Sequence, residues 1–234
     1  MKRRSFMKLA GTLLLAGCAK VEESPVLNRV FDWFAQRNDK VGGTLFSQSR
    51  LAREYSPEDV TPDFKNNYYS FTPVMDPATY FLQVGRVRFA GQGVLLEDNR
   101  PVFLREVQAL PKKTQITELR CVEGWSAIAK WGGAPLSAFL ETLRPTPKER
   151  YVFFFAADDY FDFLDIETAY HPQTLLCYEM SDKPLTPEHG GPLRLIAPTK
   201  IGYKNVKGIV LLGLSEVNLG GYWDRQGYPW HYGL

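Results

Sequence analysis

Apolar and polar positions alternate along Tyr80, Leu82 and Val84, and the alternation resumes at Val87 and Phe89 beyond Gly85. A period of two is that of a strand with one covered face, and the glycine in mid-run predicts a bulge. Gln115–Val122 predicts another strand, with Cys121 near its end. Leu136, Phe139, Leu140 and Leu143 fall at i, i+3, i+4 and i+7. That spacing predicts a short amphipathic helix over Pro135–Leu143, stopped soon after by Pro145. Arg150–Ala156 is a continuous apolar run and predicts a buried strand. Thr174–Met180, Pro192–Ala197 and Val206–Leu214 predict three more. Gly220–Leu234 is aromatic and glycine-rich, and predicts a tail packed on the surface. Strands interrupted by short helices, without regular βαβ alternation, give a mixed α+β fold class.

The N-terminal pattern is of another kind. Met1-Lys2-Arg3-Arg4-Ser5-Phe6-Met7-Lys8 leads into an apolar run from Leu9 to Gly17, then Cys18. The run is shorter than the roughly 20 apolar residues of a membrane-spanning helix, and reads as a bacterial export signal. The paired arginines followed by Phe-Met-Lys resemble a twin-arginine signal, a route that carries proteins already folded. Leu15-Ala16-Gly17-Cys18 resembles a lipoprotein box, which makes Cys18 a candidate lipid anchor in the periplasm or cell envelope. Residues 1–18 are therefore set apart as signal and lipobox, and 19–64 as an N-terminal linker and irregular segment. Within that segment, Glu22–Pro25 is a polar linker and Leu27–Phe34 a short helix. Residues 65–234 form the main domain.

A net charge of +2 in 234 residues gives no basis for a nucleic-acid partner. Three cysteines, Cys18, Cys121 and Cys177, form no Cys-x-x-Cys pair, which argues against a zinc site. Cys121 stands beside Arg120 at a strand end, and a neighbouring cation favours the thiolate, the form that binds a metal. A soft thiolate suits a redox metal, but one cysteine cannot hold a metal alone. His189, Arg194, Lys200, Lys204 and Lys207 follow among glycines, where arginine forks and close backbone approach match a phosphate. A thiolate with a phosphate-binding segment points to a phosphorylated organic cofactor carrying the metal. Spacing alone nevertheless favours a blander pattern, a core cysteine and surface lysines. A Cys121–Cys177 disulfide is the other alternative, with Cys177 otherwise a small buried apolar residue.

Three ordered segments carry a resemblance. They are Leu119-Arg120-Cys121-Val122-Glu123-Gly124-Trp125-Ser126, His171-Pro172-Gln173-Thr174-Leu175-Leu176, and His189-Gly190-Gly191-Pro192-Leu193-Arg194 with Gly202–Lys207 behind it. In order and spacing they resemble the molybdopterin domain of the sulfite-oxidase family, across nearly all of residues 65–212. Within it they look like the catalytic subunit of the periplasmic methionine-sulfoxide reductase. The resemblance implies a molybdenum–molybdopterin cofactor with Cys121 as metal ligand. Asn66 and Tyr69 match pterin-contacting positions, whereas Ser70 stands where the family has Glu. Ala156 replaces a family Thr and His189 a family Asn. Arg194, Asn205, Val206 and Lys207 fall on the remaining cofactor positions, and Arg120 is expected to hold the thiolate's surroundings positive.

The resemblance implies an exported oxidoreductase reducing an S- or N-oxide by oxygen-atom transfer. The substrate is a small molecule or an oxidised residue. No Cys-x-x-Cys-His haem motif occurs in the sequence, so a membrane haem protein or cytochrome is the expected electron partner. The alternatives are a sulfite-type oxidase passing electrons to a cytochrome, and a non-catalytic lipoprotein that keeps the fold. Ser70 and His189 leave the substrate open. The acidic residues Asp158, Asp159, Asp162, Asp165 and Glu167 read as a solvated loop at the pocket rim. His171 reads as a structural hydrogen-bonding residue, and Trp125 and Trp131 as core.

Overall fold

The computed structural model describes residues 50–65, 67–90 and 93–228, all within a compact unit spanning residues 48–234. The signal, Cys18, the 22–25 linker, the 27–34 helix and Asn66 lie outside the described residues. The elements run β1 (Phe81–Ala90), β2 (Gly93–Phe103), α1 (Leu104–Gln108), β3 (Lys113–Arg120), β4 (Ser126–Pro135), α2 (Leu136–Leu143) and β5 (Tyr151–Ala156). Then follow β6 (Phe161–Asp165), α3 (Ile166–Ala169), β7 (Leu175–Met180), β8 (Lys183–Pro184), β9 (Arg194–Ile196) and β10 (Ile209–Ser215). One sheet has the order β2-β1-β10-β5-β6, and the other has β3-β4-β7-β8 with β9 also on β7. The β1–β10 pair is parallel. This is the mixed α+β architecture that the pattern predicts.

Two strands show why their sequences are continuously apolar. Val152, Phe154 and Ala156 of β5 enter the main core, while Phe153 packs on the opposite side with Val87, Phe163 and Leu219. On β7, Leu176 and Tyr178 enter the main core, and Leu175 and Cys177 pack with Trp131 and Ile196. A strand buried on both faces has no polar alternation to display. The main core draws on both sheets and on α2 through Leu136, Phe139 and Leu140. Burying each such side chain is worth roughly 1.5–3 kcal/mol, so this shared cluster binds the sheets together. The predicted break at Gly85 is present as a register shift between Val84 and Arg86, where a Cβ would meet the Glu97 carbonyl oxygen at 2.6 Å.

The elements that the pattern missed have physical reasons. β2 is an edge strand whose residues Glu97–Pro101 are exposed, so its polar sequence shows no period. An edge also tolerates Pro101, which a central strand would not. β6 carries Asp162 and Asp165, which the sequence reading placed in a solvated loop with Asp158. All three are buried. Asp162 faces Lys204 at 2.6 Å. Asp165 accepts the Thr168 backbone N–H at 2.7 Å, capping α3, and lies 3.7 Å from Lys200. Buried charges are tolerated when paired and hydrogen-bonded, and that pairing is not visible in local sequence.

Residues 50–64, expected as an irregular segment, hold one 3₁₀ turn at Pro57–Asp59 yet pack along the second sheet. The Thr61 N–H donates to the Ile128 carbonyl and Glu54 bridges Thr117. Phe64 packs against the Trp131 cluster.

Adjacent glycines in β4 test the register of the second sheet. The register with β7 shifts between Gly132 and Gly133. A Cβ on Gly133 would collide with the Leu176 and Cys177 backbone, whereas on Gly132 it would meet the Glu179 and Lys112 side chains. Gly133→Ala is expected to lower unfolding free energy by about 1–3 kcal/mol or more, and Gly132→Ala by clearly less. Equal denaturation midpoints for the two variants would show that the approach is not as tight as described.

Candidate active site

Alternation along β3 decides what the cysteine strand offers. Leu119 and Cys121 share one face and line a cavity of about 540 Å³. Glu118 and Arg120 take the other face, as successive side chains must. Arg120 therefore does not reach the cavity, and its Nε donates to Glu118 at 2.9 Å. The expected cation beside the thiolate is supplied from elsewhere in the fold. Cys121 and Cys177 are both free thiols, so the disulfide alternative falls. Cys177 is fully buried, and burial pushes its thiol up to about 12.

The turn after β3 is closed by two backbone hydrogen bonds. Cys121 N–H donates to the Trp125 carbonyl at 2.8 Å, and Gly124 N–H donates to the Cys121 carbonyl at 3.1 Å. Gly124 has φ +86°, a conformation that other residues adopt only at a cost. The 3₁₀ turn Gly202–Lys204 backs onto this turn. A Cβ at Gly202 would lie 3.0 Å from the Arg120 carbonyl and 3.4 Å from the Cys121 Cα. A glycine there lets the segment leading to Asn205–Lys207 press against the cysteine.

Arg194, on β9, is the buried cation of the site, 2% exposed. Its Nη1 donates to the His189 carbonyl at 2.9 Å, and its guanidinium lies 4.9 Å from the Trp131 ring centre. Its Nε has no hydrogen-bond partner. No carboxylate lies within ion-pair distance among the described residues. Burial pushes the guanidinium down to about 10, still charged at neutral pH.

Lys207 is the second cation. Its Nζ stands 3.8 Å over the Tyr68 ring and donates to the Asn67 carbonyl. Burial first, then Arg194, push it down to about 7; Asp158 and Cys121 pull the other way. Lys207, unlike Arg120, shares the cavity with Cys121. Lys200 and Lys204, expected to help with phosphate, are held by Asp165 and by Asp162 with Asp224.

The other predicted positions divide. Tyr69, Asn205 and Val206 line the cavity. Asn205 uses its amide internally, accepting from Ala197 N–H at 2.7 Å and donating to the Ile201 carbonyl at 3.1 Å. Ser70 donates to the Asp158 carbonyl at 2.8 Å, a contact within the wall rather than into the cavity. Ala156 is core at the end of β5 and offers no polar group. His189 ends a 3₁₀ turn beside Phe64, with rings 5.5 Å apart and edge-on. Its Nδ1 is buried without a partner, and burial, Arg194 and Lys207 hold it below the usual histidine range. His171 is buried, and its Nδ1 accepts the Gln173 N–H at 3.2 Å. Trp131 is core, whereas Trp125 is half-buried in the cavity wall.

Several wall residues were not among the predicted site positions, and Asp158, expected in a solvated loop at the pocket rim, is a buried part of the wall. Glu123 accepts from Trp125 Nε1 and from Asn67 Nδ2, both at 2.9 Å, tying the cysteine turn to the 64–69 segment. Asp158 accepts the Tyr69 N–H at 3.0 Å from the β5–β6 turn. Tyr160 and Trp223 complete that side. The β5–β6 hairpin had a signal, since Asp158-Asp159-Tyr160 separates two apolar runs.

The residues present fit an anionic pterin cofactor. A buried guanidinium with a free N–H and no carboxylate, with the half-buried Lys207 lining the same cavity, calls for an anion. Cys121 lines the same cavity and could supply a soft donor. Among the described residues no group of three His, Cys, Asp or Glu side chains could hold a metal.

Residues 69–223 match the model of the oxidoreductase molybdopterin-binding domain. A protein of Azospira oryzae, provisionally assigned as protein-methionine-sulfoxide reductase subunit YedZ1, is 38% identical over 97% of this chain and 86% of its own length. The protein-methionine-sulfoxide reductase catalytic subunit MsrP of Xanthomonas axonopodis pv. citri is 34% identical over 92% of this chain and 70% of its own. The crystal structure of sulfane dehydrogenase SoxCD from Paracoccus pantotrophus superposes with a TM-score of 0.58 at 19% identity. It covers 66% of this chain and 42% of that one, and shows a common fold. The chain belongs to the molybdopterin-binding oxidoreductase family of the sulfite-oxidase type, with molybdenum–molybdopterin as its cofactor.

Proposed function

We propose that this oxidoreductase reduces the sulfoxide of oxidised methionine. The observation that carries the reading is the identity of 34–38% with proteins named as methionine-sulfoxide reductase subunits. The site's chemistry supports it. A sulfoxide is uncharged, and Trp125, Tyr69 and Trp223 give the cavity aromatic walls that suit a methylthio group. A sulfite-type oxidase needs cations for a dianion, and the cavity's buried Arg194 and half-buried Lys207 are those suited to the cofactor's phosphate.

Balanced, the reaction takes a sulfoxide, two electrons and two protons to a thioether and water. The bound cofactor supplies the redox centre at which the oxygen atom is exchanged. Cys121 would bind its metal, and Arg194 and Lys207 would hold its phosphate. Glu123 fixes Trp125 through the indole N–H, which keeps one wall in place. Electrons are assigned to an external haem protein of the membrane or a cytochrome. Residues 1–18 support export by a twin-arginine route into the cell envelope, with Cys18 as the lipid-bearing residue.

Holoprotein given a reduced viologen dye is expected to convert methionine sulfoxide in a peptide to methionine. Cys121→Ala is expected to lower the rate more than about a hundredfold, since even outer partners of metal ligands cost about 10–100-fold. Arg120→Ala, on the far face of β3, is expected to stay within about twofold, as surface changes do. A sizeable residual rate without Cys121 sinks the ligand assignment. Oxidation of sulfite with no sulfoxide reduction would instead favour the reverse direction of electron flow.

A pH dependence follows from Lys207. In the apoprotein its folded pKa, about 7, lies below its ordinary 10.5, and a bound anion raises it again. Anion binding therefore takes up a proton above pH 7, and affinity falls as pH rises, by up to about tenfold per unit. Titration of apoprotein with the pterin cofactor at pH 6.5 and 8.5 should show a steeper loss in wild type than in Lys207→Met. Equal slopes would remove Lys207 from the anion site.

A further inference from the structure

The aromatic wall does not stop at the cavity. Trp223 lines it, and its ring centre lies 5.1 Å from Tyr222 and 5.2 Å from Tyr228. Tyr222 in turn packs at 4.5 Å against Tyr69. Tyr69 is 47% exposed and Tyr228 37%. A continuous run of rings therefore begins inside the site and emerges on the surface. A free sulfoxide would meet only the inner rings.

The segment that carries these rings is anchored by charges that the redox chemistry does not otherwise use. Lys204, 1% exposed, lies 2.6 Å from Asp162 and 3.2 Å from Asp224. Asp224 also accepts the Gly221 N–H at 2.7 Å. Tyr222 N–H donates to the Phe161 carbonyl, and Tyr228 N–H to the Trp223 carbonyl, both at 3.0 Å. Lys204 ends the same 3₁₀ turn that backs onto Cys121. The cysteine turn and the aromatic segment thus share one buried fastening. A buried ion pair is weak evidence for stability but a good device for fixing register, and what it registers here is Trp223 against the cavity.

We infer that residues 219–228, pinned through Asp224 to Lys204, form a specificity wall for polypeptide substrates, with Trp223, Tyr222 and Tyr228 beside Tyr69 receiving apolar residues next to an oxidised methionine. The inference rests on the sulfoxide-reductase reading and adds what selects among polypeptide substrates: aliphatic or aromatic neighbours of the oxidised methionine. Aromatic faces hold apolar side chains by area and geometry, and the hydroxyls of Tyr69, Tyr222 and Tyr228 can pair with a peptide backbone.

The test uses holoprotein driven by a reduced viologen dye, which makes an electron-partner protein unnecessary. Three substrates are compared: a methionine-sulfoxide peptide with leucine neighbours, the same peptide with glycine and serine neighbours, and dimethyl sulfoxide. Wild type should prefer the leucine-flanked peptide in kcat/KM. Trp223→Ala and Tyr228→Leu should each lower kcat/KM for that peptide at least tenfold more than for dimethyl sulfoxide, chiefly through KM. Trp223→Phe should recover most of the loss. Binding of the corresponding methionine-sulfone peptide, followed by calorimetry, should weaken in parallel.

A wild type blind to its peptide's neighbours, or variants that lower all three substrates equally, would overturn the inference while leaving sulfoxide reduction intact. So would a defect that appears only when a haem protein replaces the dye, since it marks the wall as an electron-partner surface. Failure of wild type on every sulfoxide would remove the activity reading and the inference together.

Discussion

Arg194 carries a full charge in an almost water-free position, and much of the site is arranged around that fact. Its guanidinium is held by carbonyls and by the Trp131 ring rather than by a carboxylate. Removing such a charge from water costs several kcal/mol unless a counter-charge arrives. The same cavity holds Lys207, whose pKa is pushed down to about 7 by burial first and then by Arg194. An anionic cofactor relieves both. In the proposed reading the stability of the domain and the affinity for its cofactor are linked through the same two cations.

The geometry around that charge follows from ordinary rules of strand and turn. β3 delivers Cys121 on the face that Leu119 shares, and a glycine with positive φ turns the chain back into β4. β9 carries Arg194, and Gly202 lets the next segment press against the cysteine turn. The β5–β6 hairpin adds Asp158 and Tyr160 from the other sheet. Loops from both sheets converge because the main core joins those sheets through β5, β7 and α2.

Much of this was legible in the sequence where one residue type does one job. The apolar runs of β5 and β7, the helix from Leu136 to Leu143 and the break at Gly85 each follow from local periodicity. Cys121 and Arg194 stood out through the resemblance. What was not legible depends on pairing across the fold. Arg120 seemed the thiolate's cation because it is the neighbour in sequence, yet strand alternation turns it to Glu118, and Lys207 takes its place from 86 positions away. Asp162 and Asp165 looked solvated because their partners, Lys204 and Lys200, lie far along the chain. β2 escaped because an edge strand has little to bury.

The central claim is that Cys121 and the Arg194–Lys207 pair hold one molybdenum–molybdopterin per chain. Elemental mass spectrometry on protein purified from a host with an intact cofactor pathway tests it most directly. The account predicts near-stoichiometric molybdenum, absent when the same chain is made in a host unable to make the pterin. Well-folded protein without molybdenum from the competent host would contradict it.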